Sequence, residues 1–348
     1  MDWMLLLWIV LLVVGLGLLV KGADWFVDGG AGIAHKAKIP PLIVGLTIIA
    51  FGTSAPELAV SVTSAVQHST DICVGNVVGS NISNILLILG VTALITKLPV
   101  KKQSLRFDLP VLILSGAVFV SLGVLGNYLY GEESAIRWWA GLILVGLLAA
   151  YMTVLLVNAR RQLKQEKLMP PQELPVKEEK PQKPKRAIAL WFDKMEQKLW
   201  FCILLTIVGL GMVVGGGILF VDGAKYIAAK LGASDRIIGL TVVAIGTSLP
   251  ELVTSVVAAA KKETDIAVGN IIGSNIFNLL LIAGVSSLVY PLRFTMGGNL
   301  IDACVALGAS VLLLLFSFFD KKRLGIPAGI VFLSFYAAYY VYLFLMPV

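Results

Sequence analysis

The sequence predicts an all-α integral membrane protein of ten transmembrane helices, arranged as two inverted-topology repeats of five. Three observations carry this. Of 348 residues, 58% are hydrophobic and only 14% charged, with mean hydropathy +0.89, well outside the range of soluble domains. An eighteen-residue stretch occurs twice, 194 residues apart. Each copy lies within its own set of five apolar runs, an odd number, so the second set enters the bilayer from the opposite side.

The repeat is specific. Gly45–Val62 reads GLTIIAFGTSAPELAVSV and Gly239–Val256 reads GLTVVAIGTSLPELVTSV, identical at twelve of eighteen positions. A second pair keeps the same offset: DICVGNVVGSNISN from Asp71 and DIAVGNIIGSNIFN from Asp265. The offset also carries back to Phe26-Val27-Asp28-Gly29 and Phe220-Val221-Asp222-Gly223, so the duplication covers at least three spans of each half.

In chain order, apolar runs predict spans over 3–32, 41–66, 72–95, 108–126 and 138–158. The second set covers 199–228, 237–260, 266–289, 300–319 and 326–346. The opening run lacks a basic leader and a clear cleavage site, which predicts a retained helix. The predicted organisation is a first repeat over 1–158, a linker over 159–198 and a second repeat over 199–348. The linker is rich in Pro, Lys and Glu and cannot bury enough surface to offset its ordering entropy, so a mobile connector is expected.

The charge balance gives the sidedness. With the N-terminus outside, 22 of 28 Lys and Arg fall on the cytoplasmic side, and the short loops alone divide eleven to four. Both termini are therefore expected outside and the linker inside, in the plasma (inner) membrane. The net charge of +7 is read as loop charge, not as a nucleic-acid surface. Cys73, Cys202 and Cys304 are scattered through apolar stretches and read as packing residues. Two histidines, near span ends, argue against a zinc or Ser-His-Asp centre. No Gly-Lys phosphate loop supports direct use of ATP.

The chemistry sits in the duplicated motifs. A carboxylate inside a span costs several kcal/mol, on the order of 3 or more, unless it faces water, a proton or a cation. Glu57 and Glu251 meet under the repeat symmetry, with no Lys or Arg at matching depth in their helices, so a bound cation is the simplest resolution. In GTSxPE, Pro56 and Pro250 withhold a donor from the carbonyls of Gly52 and Gly246 and loosen those of Thr53 and Thr247. Such oxygens, with Ser and Thr hydroxyls, suit hard cations such as Ca²⁺ or Na⁺. Ser80 with Asn84, and Ser274 with Asn278, are four residues apart on one helical face and would add neutral oxygens. Asp24, Asp28 and Asp222 lie near span ends and carry a weaker signal. Asn76, Asn81, Asn270 and Asn275 read as interhelical hydrogen-bonding residues, and the recurrent glycines as points of close helix approach.

The twin GTSxPE motifs (Gly52–Glu57, Gly246–Glu251) and twin GNxxGSN motifs resemble the α-repeats of the cation/calcium exchanger superfamily, most closely its prokaryotic sodium/calcium exchanger branch. The resemblance spans the whole ten-helix layout. It implies a secondary antiporter, not an enzyme, that exchanges Na⁺ for Ca²⁺ by alternating access and exports calcium. It further implies Ca²⁺ ligation by Glu57 and Glu251 with the backbone oxygens of Thr53 and Thr247. Sodium ligands would be Ser54, Ser248, Ser80 and Ser274, with the carbonyls of Ala50 and Ala244. Asn84 and Asn278 would stand at the midplane, and the first and sixth helices would slide across the other eight. Potassium-dependent members carry an acid at the position of Asn278, and the proton-coupled branch tends to carry a glutamate within its GN motif, where Gly79 and Gly273 stand here. The first difference argues against potassium co-transport, the second against proton coupling. A proton-coupled Ca²⁺ or other cation antiporter on the same scaffold, and a passive cation channel, are the alternatives. No cofactor is called for; the expected partners are the two ions and the bilayer, and no protein partner is indicated.

Overall fold

The computed structural model describes residues 3–168, 195, 198–231, 244–319 and 323–345. It is helical almost throughout. The elements are α1 (Trp3–Ala37), α2 (Pro41–Thr53), α3 (Ala55–Val66), α4 (Thr70–Ile95), α5 (Ser104–Tyr130) and α6 (Trp138–Leu168). After them come α7 (Leu199–Lys230), α8 (Ala244–Thr247), α9 (Leu249–Ala260), α10 (Thr264–Val289), α11 (Gly298–Phe319) and α12 (Ile326–Leu345). Among the described residues, eight helices are long and apolar enough to cross a membrane, or nine if the bent pair α2–α3 counts as one span. The predicted span 237–260 lies partly outside the described residues; its remainder is α8 and α9.

Two boundaries differ from expectation. The span predicted over 41–66 is not one rod: α2 and α3 meet at Ser54 with a bend of 46°. Pro56 explains this, because proline fits the first turn of a helix, where the missing N–H has no partner to lose. It therefore starts α3 instead of kinking a continuous helix. At the other end of the repeat, α6 runs to Leu168, ten residues into the expected linker. Residues 159–168, ARRQLKQEKL, are strong helix formers without Gly or Pro, and Pro170 and Pro171 follow.

Among the described residues, π-helical segments at Gly45–Ile49, Ser83–Ile88, Ser104–Asp108 and Asn278–Ile282 interrupt the α-helices. Periodicity did not foresee them, since one inserted residue barely changes an apolar pattern. Two of them carry Asn84 and Asn278.

α1 and α7 pack along each other through a seam of glycines at heptad spacing. A Cβ at Gly15 would meet Phe220 and Gly216, at Gly22 Val213 and Gly209, and at Gly29 Thr206 and Cys202, all within 2.8 Å. One number falls as the other rises, so the helices run antiparallel. Small residues are what allow backbones to approach this closely where lipid supplies no hydrophobic drive. Gly209, Gly216 and Gly223 are Gly15, Gly22 and Gly29 moved by the repeat offset.

The remaining helices surround α4 and α10, the most deeply buried spans. Short ties join the loops in two groups. In one, Leu98–Pro99 pairs antiparallel with Arg323–Leu324, and Lys101 reaches Asp265 at 2.6 Å. In the other, Ile136 bridges to Leu292, and Arg293 contacts Asp71 at 2.9 Å and Glu133 at 3.3 Å. Cys73 and Cys202 are buried and Cys304 exposed, and none of the three forms a disulfide among the described residues.

Candidate cation site

The site forms where two helix breaks face two continuous helices. Ser54 (φ −83°, ψ 5°) ends α2 and precedes α3; Ser248 (φ −87°, ψ 7°) does the same between α8 and α9. The GTSxPE motif thus folds the same way twice. Each glutamate falls in the first turn of the helix after the break, where the positive end of the helix dipole favours a carboxylate. Each break also ends a helix at Thr53 or Thr247, where carbonyls lose their partners.

Glu57 and Glu251 are each 1% exposed. The Ser54 hydroxyl donates to Glu251 Oε1 at 3.1 Å, which brings the two motifs together. Both oxygens of Glu57 and Oε2 of Glu251 have no hydrogen-bond partner, and among the described residues neither carboxylate has a basic neighbour within ion-pair distance. Burying ionised carboxylates without a counter-charge is prohibitively costly, and two of them raise the cost further. A cation between them removes both problems.

The other expected residues are placed as follows. Thr53 is buried; its hydroxyl donates to Asn270 Oδ1 at 3.0 Å and lies 3.5 Å from Ser274 Oγ. Ser274 donates to the carbonyl of Ala50 at 3.5 Å. Ser248 donates to Ser80 Oγ at 3.4 Å. Thr247 is half-buried at the second break. Ala244 begins α8; the stretch before it lies outside the described residues. Asn84 and Asn278 are buried, Asn84 with both polar atoms unpartnered and Asn278 with Oδ1 unpartnered.

The four framing asparagines do hydrogen-bond between helices or along them. Asn76 donates to the Glu57 carbonyl at 3.1 Å and to Ser61 at 2.9 Å; its counterpart Asn270 donates to Ser255 at 3.0 Å. Asn81 donates to the carbonyl of Asn275 at 3.3 Å and accepts from Asn278 Nδ2 at 3.1 Å. Asn275 donates back along its own helix to Ile271 at 2.7 Å. The link from Thr53 to Asn270 is a site contact that sequence reading missed. The shared offset of the two motifs could have suggested it, but not which helix of one half meets which of the other. Asp24 and Asp28 stand apart from the cavity and pair with Lys261, Asp28 at 2.7 Å.

The family model described as "Sodium/calcium exchanger protein" matches residues 7–157 and 201–345. The chain belongs to that family. The match falls on both sets of helices and omits the segment between them. The putative antiporter CaxA of Alkalimonas amylolytica is 35% identical over 337 residues, covering 96% of this chain and 98% of that protein. The sodium/calcium exchanger MaX1 of Methanosarcina acetivorans is 32% identical over 353 residues, covering 96% and 97%. Among solved structures, the sodium-calcium exchanger NCX_Mj, soaked with Na⁺ and Ca²⁺, superposes with a TM-score of 0.76 at 32% identity, covering 95% of this chain and 97% of that one. The protein is therefore a multi-pass helical membrane transporter of the cation/calcium antiporter class and not a member of an enzyme family.

Proposed function

We propose that this protein exchanges Na⁺ for Ca²⁺ by alternating access, both ions competing for one cavity centred on Glu57 and Glu251. The observation that carries the reading is the pair of fully buried carboxylates, joined through Ser54, with three of four oxygens unpartnered. Two negative charges match one Ca²⁺. Neutral oxygens from Thr53, Ser54, Ser80, Ser248, Ser274 and the Ala50 carbonyl surround the pair, with Thr247 and the Ala244 carbonyl as their counterparts, and these suit Na⁺ when calcium leaves. Asn84 and Asn278 add amide oxygens without adding charge. Sodium coupling also draws support from the names borne by MaX1 and NCX_Mj.

An empty cavity holds two like charges in a buried place, which opposes closure without cargo. That resistance is what couples the fluxes. The reading takes the protein as ten spans in two inverted halves, 1–158 and 199–348, joined by 159–198. The antiparallel glycine seam of α1 and α7 supports it and holds the first and sixth spans together as one pair that can slide across the rest. The two groups of loop ties agree with the charge-derived sidedness: each joins loops assigned to the same face. With both termini outside, the linker lies in the cytoplasm and calcium export runs down the sodium gradient across the plasma membrane.

Reconstituted vesicles test it. An imposed Na⁺ gradient should drive ⁴⁵Ca²⁺ flux, whereas K⁺ or pH gradients imposed alone should not. Flux that follows a pH gradient without sodium would replace this reading with proton coupling. Calcium flux without any counter-ion would point to a channel.

A further inference from the structure

The two halves repeat in sequence but only partly in hydrogen bonding. The Asn76–Ser61 bond recurs as Asn270–Ser255, but several others, moved by 194 residues, have no counterpart. Asn278 Nδ2 donates to Asn81 Oδ1 at 3.1 Å, yet the matching atoms, Asn84 Nδ2 and Asn275 Oδ1, have no partner. Asn81 reaches across to the Asn275 carbonyl, whereas Asn275 folds back onto Ile271 of its own helix. Ser54 donates to Glu251, but Ser248 turns to Ser80 and leaves Glu57 bare. Gly269 and Gly273 are buried against Leu42, Leu46 and Ala50 of α2.

The amide orientations are fixed by this network. Asn81 meets a carbonyl with its Nδ2, so its Oδ1 is left to accept, and Asn278 can only present Nδ2 to it. Asn278 Oδ1 is thereby held free as an acceptor, while Asn84 is held by nothing. All four asparagines are buried, so an unmade bond among them carries the full desolvation penalty. The same atoms would find partners if the two halves exchanged roles.

We propose that Asn81 and Asn275 are positioning residues that tether the cavity asparagine of the opposite half in turn. In the state seen here Asn81 holds Asn278. In the opposite-facing state Asn275 reaches across and holds Asn84, Asn81 folds back toward the Val77 carbonyl, and Asn278 is released. The tether decides which of the two cavity amides is oriented for the cation, and the exchange occurs between α4 and α10, the two spans that line both halves of the site. This inference rests on the inverted-repeat antiport reading given above.

Hydrogen–deuterium exchange on the ion-free full-length protein in lipid nanodiscs tests it without requiring transport. Asn81→Ala removes a bond specific to the state seen here, so exchange in Pro41–Thr53, packed on Gly269 and Gly273 in this state, should rise. Asn275→Ala removes the bond specific to the other state, so exchange there should fall. One hydrogen bond is worth about fivefold in population, and that is the expected size of each shift. The double variant should return close to wild type, and Asn81→Asp, which keeps an acceptor oxygen, should restore the single loss. Shifts of the same sign in both single variants, additive loosening in the double, or no shift in either overturn the tether. A wild-type protein without sodium-driven calcium flux would overturn the antiport reading instead, and the exchange result would still decide the tether.

Discussion

Replacing Glu57 by Gln removes one charge from the cavity while keeping its shape. Because neither oxygen of Glu57 has a protein partner, the change breaks no internal hydrogen bond of that carboxylate. It also relieves like-charge repulsion with Glu251. Ion-free Glu57→Gln should therefore melt at or above the temperature of ion-free wild type. Cation binding should suffer unequally. Unit charges about 4 Å apart interact by about 4 kcal/mol at an effective dielectric constant of about 20. Losing one carboxylate then costs a monovalent ion about 4 kcal/mol and a divalent ion about 8 kcal/mol on the same scale. The difference of about 4 kcal/mol corresponds to about a thousandfold loss of Ca²⁺ preference over Na⁺. Thermal melts across a Ca²⁺ titration, with ⁴⁵Ca²⁺ flux in vesicles, measure both quantities. A Glu57→Gln protein that keeps a wild-type calcium-dependent rise in melting temperature would refute the charge argument. So would a variant that melts well below wild type without ions, since Glu57 would then have a structural partner.

Further outcomes follow from the packing. Gly126→Ala would set a methyl 1.7 Å from the Ala135 carbonyl oxygen, so α5 must shift from the loop before α6; thermal melts should show a loss of about 1–3 kcal/mol or more. Gly22→Val in the α1–α7 seam meets Val213 and the Gly209 carbonyl within 2.8 Å and should slow turnover as well as lower stability, read from flux per correctly inserted protein. Asn270→Ala removes the 3.0 Å acceptor of the Thr53 hydroxyl and the donor to Ser255 in a buried site and should cost about 1–3 kcal/mol, more than Asn76→Ala at its half-buried counterpart, by denaturant or thermal unfolding of the two variants. At Lys261 burial opposes the charge, but hydrogen bonds and attraction from Asp24 and Asp28 outweigh it and hold the ammonium above its ordinary range. With the folded value raised, its stabilising contribution is complete below the ordinary lysine value of 10.5 and is lost only as pH climbs through the raised one. Lys261→Met should therefore lower the melting temperature at pH 7 and narrow its gap to wild type above pH 11.

Much of the site was legible because duplication made it so. A single buried glutamate is ambiguous, whereas Glu57 and Glu251 in matching GTSxPE contexts demand a shared explanation. Asn76 and Asn270 illustrate the same logic: each lies fifteen residues after a serine, and both make that bond. What remained hidden were features that depend on a three-dimensional partner. Nothing local in Thr53 announces Asn270, 217 positions away. The π-segments beneath Asn84 and Asn278 leave no mark on hydropathy, and the extension of α6 to Leu168 turned on helix propensity that a polar composition masks.

The sequence by itself determined that the chain lies in a membrane, that its parts come in pairs 194 residues apart, and which oxygens are candidates for a cation. These follow from side-chain chemistry and from one repeated order of residues, which folding cannot alter. Only the tertiary structure decided how the pairs differ. Near-identical motifs in one asymmetric conformation need not make all the same bonds: Asn278 is held while Asn84 is free, and Glu251 is partnered while Glu57 is bare. The packing of α2 on α10 is a contact between halves, and a repeated order of residues does not say which copies will meet.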